Sequence, residues 1–165
     1  MNQLQQPVII QMEARKLVGV HISHSLSNRK TKALWSTFMP KRNRIENRVD
    51  ENLFSIQIYE SGLDMIDFTA QTVFTTWGAV AVTDFVDVPQ DMATIVLKEG
   101  LYAVFVHKGT TDTFHKTAQY IYEVWMPSSI YALDDRAHFE ILGRNYLGPM
   151  NPDSEEEVWI PIKYK

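Results

Sequence analysis

Glu140 is the side chain with the clearest chemical potential, because it interrupts an otherwise apolar run, Ala-His-Phe-Glu-Ile-Leu-Gly. An unpaired carboxylate costs several kcal/mol when it is buried, so this one needs a partner or solvent. Two interpretations follow: the side chain alternates outward to water, or a ligand cation or a tyrosine hydroxyl completes it. A carboxyl whose pKa is moved toward neutrality by apolar neighbours can also act as a general acid or base.

Aromatic residues are the second feature, at 12% of the chain with four tryptophans. Rings stack on flat ligands as readily as on each other, and a desolvated cation over a ring gains about 2 kcal/mol. Taken singly, Trp77 and Trp159 are more typical of core fillers than of ligand cages. Strand alternation nevertheless predicts that rings and small residues share the sheet face of Glu140. The predicted ligand-binding residues are Glu140, Trp159, Trp77, Phe105, Tyr59 and Leu142.

Other kinds of site have little support in the sequence. The absence of cysteine excludes disulfides, thiolate nucleophiles and cysteine-bound metals. The five histidines show no metal-binding spacing, and we interpret His21 and His107, at equivalent strand positions, as a structural pair. No phosphate-binding or dinucleotide-binding glycine motif and no serine-hydrolase motif occurs. We therefore predict neither a metal nor a cofactor.

Charge and hydropathy restrict the partners further. Sixteen Lys and Arg against twenty Asp and Glu give a formal net charge of −4, which offers no general attraction for phosphate backbones. Met1–Gln11 has no export signal, and no stretch is apolar enough to span a bilayer. We expect a cytoplasmic protein without direct nucleic-acid or membrane contact.

The pattern of strands and helices predicts the same unit twice. Alternating and β-branched runs predict strands, whereas apolar residues at helical spacing predict one amphipathic helix in each half. In the first half, the predicted strands Val8–Met12 and Lys16–Ile22 are followed by a helix from Ser27 to Phe38. Ser27 or Asn28 caps this helix and Pro40 ends it. Two further strands begin at Phe54 and at Val73. The second half reads as two strands (Thr94–Leu97, Leu101–His107), a helix from Thr111 or Asp112 to Pro127, and two strands (Ala137–Leu142, Glu157–Ile162).

The two halves also align by residue. Val18-x-Val20-His21 corresponds to Val104-x-Val106-His107, and Phe38-Met39-Pro40 to Trp125-Met126-Pro127, with one inserted residue between the two matches. We predict an α+β fold made of a duplicated β-β-α-β-β unit with pseudo-twofold symmetry, antiparallel sheets and a cleft between the repeats. We expect residues 1–165 to form a single domain, with repeat one at about 7–84 and repeat two at about 92–163.

Strand alternation also predicts which residues pack against the helices, because each strand has one strictly apolar parity. The predicted helix-packing set is Val18, Val20, Ile22, Phe54, Ile56, Ile58, Val104, Val106, Phe139 and Ile141. The opposite parity then forms the face with small residues, rings and Glu140.

The second half carries the motifs of a known family: Gly100-Leu-Tyr-Ala-Val-Phe-Val-His-Lys-Gly, Ile121-Tyr-Glu-Val-Trp-Met-Pro, His138-Phe-Glu-Ile-Leu-Gly and Ser154-Glu-Glu-Glu-Val-Trp-Ile-Pro-Ile-Lys. With them the chain resembles the GyrI-like, or AraC-type effector-binding, small-molecule-binding family, in particular its stand-alone, integron-associated members. The first half matches by its order of elements only. The resemblance implies a single effector-binding domain with an aromatic ligand cleft between the repeats and an acid for lipophilic cations. By its match to Phe-Glu-x-x-Gly, that acid is Glu140.

Three functions stay open at this point. We favour non-covalent binding of a small, hydrophobic, cationic drug-like molecule over catalysis. The resemblance also implies an alternative, since some relatives are hydrolases of reactive cyclopropane-type toxins and Glu140 suits that role. A third possibility is a protein-interaction module that acts with a separate transcription regulator.

Overall fold

The structure, a computed structural model, describes residues 6–165 as an antiparallel sheet with helices packed on it. A π-helical segment spans Tyr120–Trp125, and 3-10 turns lie at Met39–Arg44, Met65–Asp67 and Thr111–Thr113. The strands and helices are β1 (Val8–Met12), β2 (Arg15–His24), α1 (Thr31–Phe38), β3 (Leu53–Ile58), β4 (Phe74–Ala81), β5 (Ala93–Leu97), β6 (Gly100–Lys108), α2 (Phe114–Gln119), α3 (Met126–Ser128), β7 (Tyr131–Leu133), β8 (His138–Leu142) and β9 (Glu155–Tyr164).

The strand order confirms the α+β class. It runs β1-β6-β9-β8-β3-β4-β2-β5, with β7 paired to β9, and all pairs are antiparallel. Exchanging β1 with β5, β2 with β6, β3 with β8 and β4 with β9 gives the same order read from the opposite edge of the sheet. This symmetry is compatible with a duplicated unit, and its axis passes between β3 and β8. At that axis Ser55 pairs with Glu140, its counterpart in the second half.

Both main helical segments pack on the same face of the sheet, which we call the helix-covered face. From α1, the buried Phe38 joins a cluster with Val18 and Val80, which pair across β2 and β4. From the π-helical segment, Ile121 and Trp125 pack on a second cluster under β6 and β9. That cluster includes Phe105, Val158 and Ile160. Phe105 pairs with Val158, and Val158 pairs with Glu140, so this cluster lies on the same face of the sheet as Glu140.

The other face, which we call the concave face, is buried without a helix. Its cluster combines central residues such as Phe54 and Phe139 with Met12 and Leu97 from the edge strands. Because residues from both edges meet residues from the centre, the sheet curls around this cluster.

The predicted helix-packing set is therefore corrected, since it mixes residues of the two faces. Val18 pairs with Val80 on the helix-covered face, whereas Phe54 pairs with Ala79 on the concave face. Val20 and Ile22 lie with Val18. Phe54, Ile56, Ile58, Val104, Val106, Phe139 and Ile141 lie on the concave face. Period-two alternation identifies one face within a strand, but relating faces between strands requires the register.

The helix ends also differ from the predicted ones. Ser25 and Asn28 form an isolated bridge, so α1 starts only at Thr31, after Lys30. The α-helix α1 ends at Phe38, as predicted, whereas Pro127 does not end the second helical segment, because proline is tolerated in a first helical turn. Pro40 lies in the first turn of the 3-10 segment after α1, and Pro127 lies in the first turn of α3.

Candidate functional site

The central strands β3 and β8 form a strip of the helix-covered face between the two helical segments, and we call this strip the groove. The helix α1 packs on β2 and β4, and the π-helical segment packs on β6 and β9, so the two central strands lie between them. Apart from the buried His138, their side chains on this face are half-buried, although the strands are the most central of the sheet. The floor residues with this partial exposure are Leu53, Ser55, Gln57, Glu140 and Leu142.

Aromatic side chains from both helical segments border this floor. On one side, the half-buried Trp35 of α1 lies against Gly78, where a Cβ atom would come within 3.3 Å of the indole ring. Gly78 pairs with Ser55, so the missing side chain of this glycine lets Trp35 approach the groove floor. On the other side, the Tyr122 hydroxyl lies 3.1 Å from Nδ1 of His138.

Tyr59 closes one end of the groove. Its ring centroid lies 4.9 Å from that of His138, 5.3 Å from that of Phe74 and 5.7 Å from that of Phe68. These distances are in the range of favourable edge-to-face and offset aromatic contacts. Tyr59 follows β3 directly, so its position is fixed by the strand that also carries Ser55 and Gln57.

Glu140 lies on the floor beside the hydrogen-bonding side chains of Gln57 and Ser55, with no cation paired to it among the described residues. Gln57 donates through Nε2 to Oε2 of Glu140 over 2.8 Å and to Oγ of Ser55 over 3.1 Å. Burial raises the pKa of Glu140 to about 7, and the hydrogen bonds from Gln57 and Ser55 act in the opposite direction. Among residues 6–165, no Lys, Arg or His forms an ion pair with this carboxylate.

The neighbouring titratable groups supply no compensating charge. Burial lowers the pKa of His138 to about 4, so its imidazole is neutral at physiological pH. Burial, and secondarily the negative charge of Glu140, raises the pKa of Tyr59. The same causes, together with Tyr59, raise the pKa of Tyr122. The groove therefore combines protonated hydroxyls, ring faces and an acid, which is an environment that favours a cation.

Three of the six predicted site residues lie at this groove. Glu140 and Leu142 are on its floor and Tyr59 is at its end. Phe105 is on the same sheet face, but it is buried beneath the π-helical segment, with its ring 5.2 Å from that of Trp125.

Trp77 and Trp159 lie on the concave face, which corrects their expected position beside Glu140. Trp159 pairs with Phe139 and stacks on its ring at 5.3 Å, and Trp77 pairs with Ile56. Both indoles are buried in the concave-face cluster. The reason is again the register. Trp159 is one position away from Val158, the residue opposite Glu140, and successive side chains of a strand point to opposite faces of the sheet.

Six groove residues are absent from the predicted set: Leu53, Ser55, Gln57, His138, Trp35 and Tyr122. Gln57 and His138 share the alternation of Ser55 and Glu140, so the strand pattern contains the signal for them. Trp35 and Tyr122 read as core positions of amphipathic helices. The π-helical segment changes the angular spacing of its residues, and no local pattern in the sequence indicates it.

The histidines do not form the expected pair. His21 pairs with Trp77 and therefore lies on the concave face, whereas His107 lies on the helix-covered face and hydrogen-bonds Thr117 over 2.7 Å. Over residues 6–165 there is no cluster of three or more His, Cys, Asp or Glu that could hold a metal ion. In the same part of the chain, no helix is both long and apolar enough to cross a membrane.

Comparison with known proteins gives one curated relative and several similar structures. The chain is 24% identical over 155 residues to the transcriptional regulator BrlR of Pseudomonas aeruginosa. This match covers 93% of the chain and 54% of BrlR, so the chain spans about half the length of this relative.

Three solved structures share the fold. SAV2435 bound to tetraphenylphosphonium has a TM-score of 0.67 at 14% identity, covering 96% of this chain and 94% of that one. Integron cassette protein VCH_CASS2, from the mobile metagenome of Vibrio cholerae, has a TM-score of 0.62 at 13% identity over 97% of both chains. A hydrolase encoded by lin2189 from Listeria innocua has a TM-score of 0.60 at 16% identity, covering 98% of this chain and 94% of that one.

A family model also matches the sequence of this chain. The model of the GyrI-like small molecule binding domain matches residues 5–163, which is nearly the whole chain. The groove, its unpaired acid and its aromatic borders lie within that range. The chain therefore belongs to the family of GyrI-like small molecule binding domains.

Proposed function

We propose that the groove between α1 and the π-helical segment binds a lipophilic organic cation without covalent chemistry. The observation that carries this proposal is the Glu140 carboxyl, which is half-buried on the floor and has no cationic partner among the described residues. A ligand cation supplies the missing charge. The fold-sharing protein SAV2435 has been seen with tetraphenylphosphonium, which is a cation of this class.

Each part of the groove has a role in this proposal. Glu140 provides the negative charge, and Gln57 orients the carboxylate through its hydrogen bond. Trp35, Tyr59 and Tyr122 provide ring faces, where a desolvated cation gains about 2 kcal/mol. Leu142 adds apolar surface to the floor. Together these contributions are consistent with micromolar affinity.

The charge preference can be tested on the unmodified protein with two probes of the same shape. Tetraphenylphosphonium and tetraphenylborate differ in the sign of their charge, and neither titrates. We expect the cation to bind and the anion not to bind, as measured by isothermal titration calorimetry and by the shift in melting temperature. Equal binding of the two probes, or binding of neither, contradicts the proposal.

The affinity for tetraphenylphosphonium should also depend on pH. Because the pKa of Glu140 is raised to about 7, its ionised fraction increases as the pH rises through that value. We expect the affinity to increase about tenfold between a pH of about 6 and a pH of about 8, following that fraction. A pH-independent affinity over this interval would show that the bound cation does not interact with the titrating acid.

A hydrolase is the second candidate, and one observation favours it. A carboxyl with a pKa near neutrality, close to the hydroxyls of Tyr59 and Tyr122, suits general acid and base catalysis. In this mechanism Glu140 takes a proton from water as it adds to an electrophilic ring carbon, and the proton passes to the carbon released by ring opening. Mass spectrometry of a cyclopropane electrophile incubated with the protein tests this, since hydrolysis adds the mass of one water molecule.

A regulatory role is a further part of the proposal. The relative BrlR is named as a transcriptional regulator, and the chain spans about half its length. We propose that the groove works as an effector site whose occupancy is communicated to a regulator of transcription.

A further inference from the structure

A second carboxylate, Glu156 of β9, lies on the same face of the sheet as Glu140. Glu140 pairs with Val158 across β8 and β9, and Glu156 precedes Val158 by two residues. Alternation along the strand therefore directs Glu156 to the helix-covered face. Diagonal neighbours of this kind are roughly 7 to 8 Å apart between their Cα atoms.

Glu156 resembles Glu140 in having no positive partner. It is half-buried, and within residues 6–165 it makes no ion pair and no side-chain hydrogen bond. Burial and the negative charge of Glu140 raise the pKa of Glu156 to about 8. Burial raises the pKa of Tyr146, which lies in the loop after β8, and the negative charges of Glu156 and Glu140 raise it further.

The groups that face Glu156 from neighbouring elements form no ion pair with it. His107 is opposite it on β6, and its ring nitrogens are engaged by the Thr117 hydroxyl over 2.7 Å and the Thr110 carbonyl over 3.0 Å. Tyr146 carries only a hydroxyl. Around Glu140, burial keeps the imidazole of His138 and the hydroxyls of Tyr59 and Tyr122 uncharged.

The adjacent acids of β9 show a different arrangement. Glu157 is exposed on the concave face and accepts a hydrogen bond from Nε1 of Trp159 over 3.1 Å. Glu155 shares that parity and is opposite Lys108. Of the three consecutive acids, only Glu156 is directed to the face of the groove, where a second acid lies nearby and where it makes no ion pair within the described part of the chain.

We propose that the natural ligand is a dication, with one positive charge at Glu140 and the other at Glu156. The ligand has two ammonium, amidinium or similar groups joined by a short apolar spacer that lies across the adjacent strands β8 and β9. The inference rests on the proposed function and specifies its ligand class. A monocation leaves one of the two carboxylates without a counter-charge, whereas a dication neutralises both.

Matched probes with one or two charges test this inference. Hexamethonium and hexyltrimethylammonium share a polymethylene chain and a quaternary ammonium group, and only the former has a second charge. Calorimetry at a pH of about 9, above both pKa values, keeps both acids ionised. We expect hexamethonium to bind at least about tenfold more tightly to the unmodified protein, and Glu156→Gln to bring the affinities of the two probes within about twofold of each other.

The control is Glu157→Gln, which removes the same charge from the adjacent residue and keeps an acceptor for Trp159. It should leave the preference for hexamethonium unchanged. Equal affinities of the two probes for the unmodified protein, or an equal loss in both variants, would overturn the dication proposal even if tetraphenylphosphonium binds. If none of the three cations binds, the proposed function itself fails.

Discussion

Glu140→Gln is expected to weaken tetraphenylphosphonium binding about 30-fold, which corresponds to about 2 kcal/mol. Glutamine keeps the size of the side chain and can still accept a hydrogen bond from Gln57, so the change removes charge rather than shape. A partly desolvated carboxylate beside a cation contributes more than an exposed one, since the surrounding protein screens it less than water does. Isothermal titration calorimetry at a pH of about 8 measures the difference, with the carboxylate of the unmodified protein ionised.

The same variant should lose most of the pH dependence of binding, because the titrating group is gone. We expect the pH dependence of affinity that remains to come from Glu156, whose pKa is raised to about 8. Glu157→Gln is the matched control and should bind tetraphenylphosphonium as the unmodified protein does, because its side chain is exposed on the other face of the sheet. A Glu140→Gln protein that binds the cation with unchanged affinity would show that the ligand does not depend on this acid.

The fold could be predicted from sequence to a large extent because its signals are local. Alternation in β3 and β8, and the order of strands and helices in both halves, are properties of short segments. The interruption of an apolar strand by Glu140 is also local, and so is the prediction that this carboxylate requires a partner. Each of these conclusions needs only neighbouring residues and the geometry of a single element.

The composition of the groove could not be predicted in the same way, since it depends on relations between strands. A shift of one residue in register moves a side chain to the opposite face, and this decides that Trp159 lies away from Glu140 while Gln57 lies beside it. The contribution of Tyr122 depends on the π-helical segment, and that of Trp35 on the space left by Gly78. These are features of three-dimensional packing that no single strand or helix pattern contains.

Phe139→Ala is expected to lower the free energy of unfolding by about 3 to 5 kcal/mol, which is the range for a large aromatic residue removed from a core. Phe139 is fully buried on the concave face, where its ring lies 5.3 Å from that of Trp159, 5.4 Å from that of Tyr102 and 5.9 Å from that of Phe54. The three rings come from β9, β6 and β3, so the cavity weakens both halves of the sheet behind the groove floor.

Urea unfolding followed by tryptophan fluorescence measures this loss. Val106→Ala is the control, because Val106 is 42% exposed on the same face and its truncation should cost about 0.5 kcal/mol or less. If Phe139→Ala does not fold, Phe139→Leu leaves a smaller cavity and should show an intermediate loss of stability. A Phe139→Ala protein as stable as the Val106→Ala protein would mean that the concave-face cluster does not hold the two halves together. In that case the groove floor would have to be supported from the helix-covered face alone, by the packing of α1 and the π-helical segment.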